Sequence, residues 1–80
     1  MRLDKYLKIS RLIKRRTIAK NACDAGRIEV NSTVAKASTN VEIGDKITIN
    51  LGANPTTVEV VDLKEHVGKD SAGELYRVIS

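Results

Sequence analysis

Two segments near the N-terminus repeat apolar residues at helical spacing. In the first, Leu3 and Leu7 share one face of a helix that begins near Asp4, which we predict to be its N-cap, and ends by residue 9. The second runs from about residue 15 to residue 25, and Gly26 stands where a left-handed C-terminal residue is expected. Its apolar stripe contains Ile18, Ala19, Ala22, Cys23 and Ala25. The pattern therefore predicts two short helices, the second with small residues that allow close packing.

After Gly26 the apolar spacing changes from helical to alternating, which is typical of half-buried strands. The alternation predicts strands at residues 27–30, 34–36, 46–50 and 57–63, with turns at 31–33 and at Gly44-Asp45. Residues 64–74 are mostly polar and predict a mobile loop, and residues 75–79 form a last strand or a short helical turn. We therefore predict an α+β fold in which two short N-terminal helices pack on a small, mainly antiparallel β-sheet.

Length and composition limit the class of protein. Eighty residues, 41% of them apolar, predict a single domain spanning residues 1–80. A single cysteine excludes an internal disulfide, and we expect no metal site and no cofactor. No apolar run exceeds two residues, which excludes a membrane-spanning helix and a signal peptide. We expect a cytoplasmic protein without a membrane partner, monomeric when free.

Charge is distributed unevenly along the chain. Residues 1–36 contain ten basic and three acidic side chains, whereas residues 37–80 contain four basic and seven acidic ones. The first part therefore carries +7 and the second −3, within a net charge of +4. Such self-repulsion is expected where an anionic partner neutralises the charge, because an ordinary soluble surface mixes both signs.

The basic residues at the start of the second helix conflict with ordinary helix electrostatics. Lys14, Arg15 and Arg16 lie where the helix dipole disfavours cations by about 0.3–1 kcal/mol each. Arg16 and Lys20 are also a like-charge pair at i, i+4 spacing, which costs about 0.2–0.5 kcal/mol more. A bound phosphate would remove both conflicts, because free backbone amides and guanidinium groups would then face one anion. The alternative is a solvated basic face.

The scarcity of aromatic residues favours structured RNA as the anion. Tyr6 and Tyr76 are the only aromatics, whereas single-strand readers stack bases on several rings. Duplex or folded RNA is recognised largely through phosphate and ribose and needs no such platform. A DNA-binding helix-turn-helix remains open, although the second helix offers few base-reading side chains. Tyr6 is predicted to face the core, with an edge contact to RNA as the alternative.

No catalytic constellation is predicted. Cys23 lies on the apolar stripe of the second helix and is interpreted as a buried, inert thiol. His66 stands in a polar stretch without a recognisable acid–base partner, and capping explains Asp4 better than catalysis. The acidic residues of the C-terminal half are interpreted as solvated, or as a side kept free for a protein partner.

Several blocks of the chain resemble the alpha-L RNA-binding motif, first described in a small-subunit ribosomal protein and often called the S-four domain. The blocks occur in order at residues 2–7 (RLDKYL), 11–17 (RLIKRRT), 22–31 (ACDAGRIEVN) and 41–47 (VEIGDKI). The resemblance covers residues 1–50, with C-terminal strands expected at 56–80. The ending ELYRVI at 74–79 is similar to that of the small bacterial ribosome-associated quality-control factors within this family.

The resemblance implies a non-enzymatic factor that binds obstructed large ribosomal subunits. Its implied partners are large-subunit rRNA, peptidyl-tRNA and an RqcH (NEMF-family) protein that adds a C-terminal alanine tail to the stalled chain. The family's RNA-binding basic residues correspond here to Arg2, Lys5, Arg11, Lys14, Arg15, Arg16 and Lys20.

Two functional alternatives remain open beside this one. One is a heat-shock-type factor that recycles large subunits by binding rRNA without a role in tailing. The other is an RNA-modifying enzyme, in which the same motif precedes a catalytic domain encoded elsewhere. One departure from the motif is Asn31-Ser32 in place of the usual Asn-Gly, which leaves the turn type open.

Overall fold

The computed structural model describes residues 1–65 and 68–80 and confirms the predicted α+β class. Within these residues two α-helices precede a sheet of five strands, with a 3-10 helix before the last strand. The elements are α1 (Leu3–Ile9), α2 (Arg16–Asp24), β1 (Ile28–Val30), β2 (Thr33–Val34), β3 (Lys46–Ile49), β4 (Thr56–Val60), the 3-10 helix (Lys69–Leu75) and β5 (Tyr76–Val78).

The sheet is antiparallel throughout, in the order β2-β1-β3-β4-β5. The register pairs Ile28 with Ile49 and Ile47 with Val58, so these four apolar residues lie on one face and are buried. Glu29 pairs with Thr48 on the opposite face. Period-two alternation thus places one face of the sheet against the helices and leaves the other polar, as the sequence predicted.

Both helices contribute to the core, α1 with large side chains and α2 with small ones, although the stripe of α2 is narrower than predicted. Leu3, Tyr6 and Leu7 of α1 are fully buried, and Ala19, Ala22 and Cys23 of α2 are buried as well. Ile18 is 49% exposed and Ala25 is exposed, so the prediction that they face the core is wrong. Within α2, the buried stripe consists of residues 19, 22 and 23. Because these side chains are small, the surface of α2 that contacts the core is narrow.

The start of α1 also differs from the prediction. The helix begins at Leu3 with Arg2 as its N-cap residue, so Asp4 lies in the first turn and is not the cap. The backbone amides of Leu3 and Asp4 donate to the carbonyl oxygens of Thr39 (2.8 Å) and Ala37 (3.2 Å). Since a neighbouring segment satisfies these amides, no side-chain cap is needed.

Positive φ angles occur at two turns that the sequence singled out. Gly26 has φ +74° after α2, as predicted for a left-handed C-terminal residue. Asn31 and Ser32 have φ +52° and +69° between the paired residues Val30 and Thr33. Positive φ at both central residues is what a type I′ hairpin requires, so the departure to Ser32 does not change the turn. The return strand is Thr33–Val34 rather than residues 34–36.

The C-terminal segment, of which residues 61–65 and 68–80 are described, packs on the core through residues 69–75, where the sequence predicted part of a mobile loop at 64–74. Part of it is the 3-10 helix, in which Ala72 and Leu75 are buried. The hydroxyl of Tyr6 donates to the carbonyl oxygen of Leu75 at 2.6 Å, which ties this helix to α1. The last strand then pairs with β4, the first of the two predicted alternatives. His66 lies outside the described residues.

Candidate nucleic-acid interface

A buried carboxylate joins two of the predicted RNA-binding arginines. The Nε atom of Arg2 lies 3.1 Å from Oδ1 of Asp4, and the Nε atom of Arg16 lies 3.4 Å from Oδ2. The Asp4 side chain is 4% exposed, whereas those of Arg2 and Arg16 are 51% and 49% exposed. One residue from the start of each helix is therefore fixed at a single point while about half of its side chain faces solvent.

Burial and the two arginines have opposite effects on the pKa of Asp4, and the arginines have the larger effect. Burial alone would raise the pKa of Asp4, but the hydrogen bonds from Arg2, the close approach of Arg16 and the charges of both residues lower it below its ordinary value. Asp4 is therefore ionised at neutral pH. Arg2, Asp4 and Arg16 together form the Asp4 cluster, which keeps one net positive charge.

The start of α2 is basic and lacks a side-chain cap. Arg15 is the N-cap residue, its side chain does not cap the helix, and no acidic residue lies in the first turn. Lys14, Arg15, Arg16 and Lys20 are all exposed, with Arg16 and Lys20 one turn apart on the same side of the helix. The predicted conflict with the helix dipole is therefore present in the folded chain. The N-terminus of α1 differs, because its first amides are bound by protein acceptors.

Lys5, another predicted site residue, pairs with the C-terminal segment and not with Asp4. Its Nζ atom lies 3.0 Å from Oε1 of Glu65, a residue of the C-terminal segment, and its side chain is 34% exposed. On α1, Lys5 is displaced by about 100° around the helix axis from Asp4, by the 3.6-residue periodicity. Glu65, one of the C-terminal acids interpreted as solvated, is 60% exposed and forms this ion pair as well.

Arg11 lies in the connection between the helices. Its φ of +61° is unusual for a residue with a side chain, and its amide donates to the carbonyl of Lys8 at 3.1 Å. This turn allows Ile13 to return to the core, where it is buried, and leaves the side chain of Arg11 exposed. Arg11 and Lys14 thus belong to one exposed basic connection.

Two further exposed lysines, one on α1 and one next to a backbone partner of Asp4, were missed from the sequence. Lys8 is exposed and follows Asp4 by four residues, so both lie on the same side of α1. Lys36 is exposed and precedes Ala37, whose carbonyl accepts from the Asp4 amide. The i, i+4 spacing could have identified Lys8. The position of Lys36 depends on a contact between distant segments, which the sequence pattern does not reveal.

The remaining candidate groups fit structural roles. Cys23 is buried, and burial together with the nearby charges of Asp4 and Asp24 raises the pKa of its thiol to about 11. Tyr6 is fully buried, so its predicted core position is correct. In the described part of the chain, no group of three His, Cys, Asp or Glu side chains could hold a metal ion. No helix among residues 1–65 and 68–80 is long and apolar enough to cross a membrane.

Comparison with known proteins identifies relatives along nearly the whole chain. The model of the S4 domain matches residues 1–47. The "RQC P-site tRNA stabilizing factor" of Halalkalibacterium halodurans is 56% identical over 98% of this chain and 89% of its own length. The protein of the same name from Bacillus subtilis is 49% identical over 99% of this chain and 92% of its own length.

A solved structure supports the same relationship at the level of the fold. The trimeric structure of Vibrio cholerae Heat Shock Protein 15 superimposes with a TM-score of 0.91. It is 34% identical to this chain and covers 100% of it, while this chain covers 82% of that protein. The chain belongs to the S4 domain family and, within it, to the group of proteins named RQC P-site tRNA stabilizing factor.

Proposed function

We propose that the chain is a non-enzymatic RNA-binding factor that stabilises peptidyl-tRNA on obstructed large ribosomal subunits. The observation that carries this proposal is the 56% identity to a P-site tRNA stabilizing factor over nearly the full chain. The exposed cations at the starts of both helices are the groups such a role needs, because phosphate contacts supply most of the affinity for RNA. Binding rRNA and tRNA places the chain on ribosomes in the cytoplasm.

The proposed RNA contacts are Arg2, Lys5, Arg11, Lys14, Arg15, Arg16 and Lys20. Among them Arg2 and Arg16 form the centre, because Asp4 fixes both with their guanidinium groups half exposed. Lys5 contributes least, since RNA must compete with Glu65 for its ammonium group. If about four to six phosphates are neutralised, the logarithm of the binding constant should fall with the logarithm of salt concentration with a slope of about −3 to −5.

Replacing Arg16 by Glu tests the proposal directly. Arg16 is exposed and lies outside the apolar core, so Arg16→Glu should keep a folded circular dichroism spectrum, at a lower Tm because the new carboxylate faces Asp4, while abolishing co-sedimentation with purified large subunits. Lys64→Glu is the matched control, because it makes the same charge change at an exposed site in the acidic half. Full co-sedimentation of folded Arg16→Glu would refute the proposed interface.

The finer part of the proposal is support for alanine tailing by an RqcH (NEMF-family) partner, with the chain itself monomeric when free. The heat-shock-type role, subunit recycling without tailing, is less favoured. The solved Heat Shock Protein 15 is 34% identical to this chain, whereas the tRNA stabilizing factor is 56% identical. A reconstituted reaction with obstructed large subunits, the purified tailing partner and this chain separates the two. Longer alanine tails with the wild-type chain than with Arg16→Glu support the proposal. Equal tails would favour the recycling role.

A further inference from the structure

The Asp4 cluster combines two features that are unusual for a surface which binds a polyanion. A carboxylate repels phosphate, yet Asp4 lies between two of the basic side chains that the proposed function requires. The same carboxylate is nearly inaccessible, with 4% of its side chain exposed, so it cannot itself contact a ligand to any extent. The role of this negative charge must therefore be exerted through its neighbours.

The atoms that contact Asp4 indicate what it does. Arg16 forms an ion pair through Nε (3.4 Å), Arg2 donates from Nε (3.1 Å) and Nη2 (3.4 Å), and the backbone amide of Lys5 donates to Oδ1 at 2.8 Å. Among residues 1–65 and 68–80, no acceptor binds the other terminal N–H groups of the two guanidiniums, which are about half exposed and available to a second acceptor. A phosphate accepts such groups in pairs, in the same planar geometry that a carboxylate uses.

We propose that Asp4 is a positioning residue for RNA binding, which holds Arg2 and Arg16 as a preorganised pair for one phosphodiester group. The inference rests on the proposed function and adds a role for a residue that touches no RNA. Its basis is entropic, because immobilising a long side chain on binding lowers affinity by about two- to tenfold, and Asp4 immobilises two of them beforehand.

The test depends on whether Asp4→Asn weakens or tightens binding, because positioning and simple electrostatic attraction predict opposite changes in affinity. Asp4→Asn adds one positive charge to the chain, so simple attraction to RNA predicts tighter binding. Positioning predicts weaker binding, by roughly 5- to 100-fold from two released arginines. Asp24→Asn is the matched control, since it makes the same charge change at an exposed carboxylate of α2 and should tighten binding slightly. Affinities are measured by titrating N-terminally labelled chain with purified large ribosomal subunits.

A cycle with the two arginines separates positioning from a structural defect. In the Arg2→Ala, Arg16→Ala background, Asp4→Asn should no longer weaken binding, because the groups through which it acts are gone. The Nε–Hε NMR signal of Arg2, which donates to Asp4, should also lose its protection from solvent exchange in Asp4→Asn while the amide spectrum stays folded.

Two results would overturn the proposal. One is binding by Asp4→Asn that is as tight as binding by Asp24→Asn. The other is the same loss from Asp4→Asn with and without the arginines, which would assign the effect to folding. Failure of the wild-type chain to bind subunits would instead refute the proposed function itself, so the two failures are distinguishable.

Discussion

The hydroxyl of Tyr6 joins the first helix to the last part of the chain, and removing it tests how much this connection contributes. Tyr6 is fully buried and donates to the carbonyl oxygen of Leu75 at 2.6 Å. Burial, followed by the influence of Tyr76 and Asp62, raises the pKa of the phenol, so the group stays a hydrogen-bond donor at any ordinary pH. Tyr6→Phe removes this donor and leaves the ring in place.

The expected cost follows from the other partners of the same carbonyl. Leu75 also accepts from the amides of Val61 at 2.9 Å and Asp62 at 3.2 Å, so its oxygen is not left unsatisfied by the substitution. The loss is therefore that of one net hydrogen bond, about 1 kcal/mol, rather than the 1–3 kcal/mol of a stranded buried acceptor. For a domain of this size, 1 kcal/mol corresponds to a fall in Tm of about 4–8 °C.

Urea and thermal unfolding followed by circular dichroism measure this difference, with Tyr76→Phe as the control on the half-buried second tyrosine. The control should change stability by less than about 0.5 kcal/mol. An unchanged Tm for Tyr6→Phe would show that the hydroxyl is not bonded in solution. Affinity for large subunits should be unaffected, and a loss would revive the alternative that Tyr6 contacts RNA.

Three further predictions concern stability and reactivity. Ser32→Gly should stabilise the chain by about 0.5 kcal/mol in urea unfolding, because φ is +69° at this position and glycine removes the strain; a destabilised variant would contradict the type I′ turn. The thiol of Cys23, with its pKa raised to about 11, should react with a thiol reagent at pH 8 only at the rate of unfolding, whereas immediate labelling would show that it is accessible. The lowered pKa of Asp4 means that its ionisation stabilises the fold above about pH 4, and that this contribution is lost as pH falls through the folded-state pKa. Urea unfolding at pH 6 and pH 3 should therefore give a smaller loss for Asp4→Asn than for the wild-type chain, and an equal loss would contradict the ion pairs.

Periodicity was sufficient for most of the fold because the apolar positions of each element lie on one side. Ile47 and Ile49 alternate with polar neighbours and are both buried, and Leu3 and Leu7 are buried at helical spacing. The errors occur where tertiary contacts replace local signals. Asp is a residue type that often caps helices, but Asp4 accepts only the Lys5 amide from within the first turn, and the segment containing Ala37 and Thr39 satisfies the two amides before it. No pattern within α1 contains that information.

The C-terminal segment illustrates a second limit of sequence reasoning. Its polar composition and two glycines predict a loop, yet Ala72 and Leu75 are buried within a 3-10 helix. Short 3-10 helices carry no apolar periodicity long enough to detect. The anchor is the Tyr6 hydroxyl, a contact across 69 positions of sequence, which only the folded chain reveals.

The candidate site was predictable in its charge but not in its organisation. Counting basic residues identified the first 36 residues, and the dipole conflict at Arg16 identified the start of α2. Neither argument distinguishes Lys5 from Arg2, because both are cations near the start of α1. The fold distinguishes them through two carboxylates: Glu65 draws Lys5 toward the C-terminal segment, whereas Asp4 draws Arg2 toward Arg16. Acidic residues thus decide which cations of a basic surface act together, and a count of positive charge alone overestimates the number that one RNA phosphate group can engage.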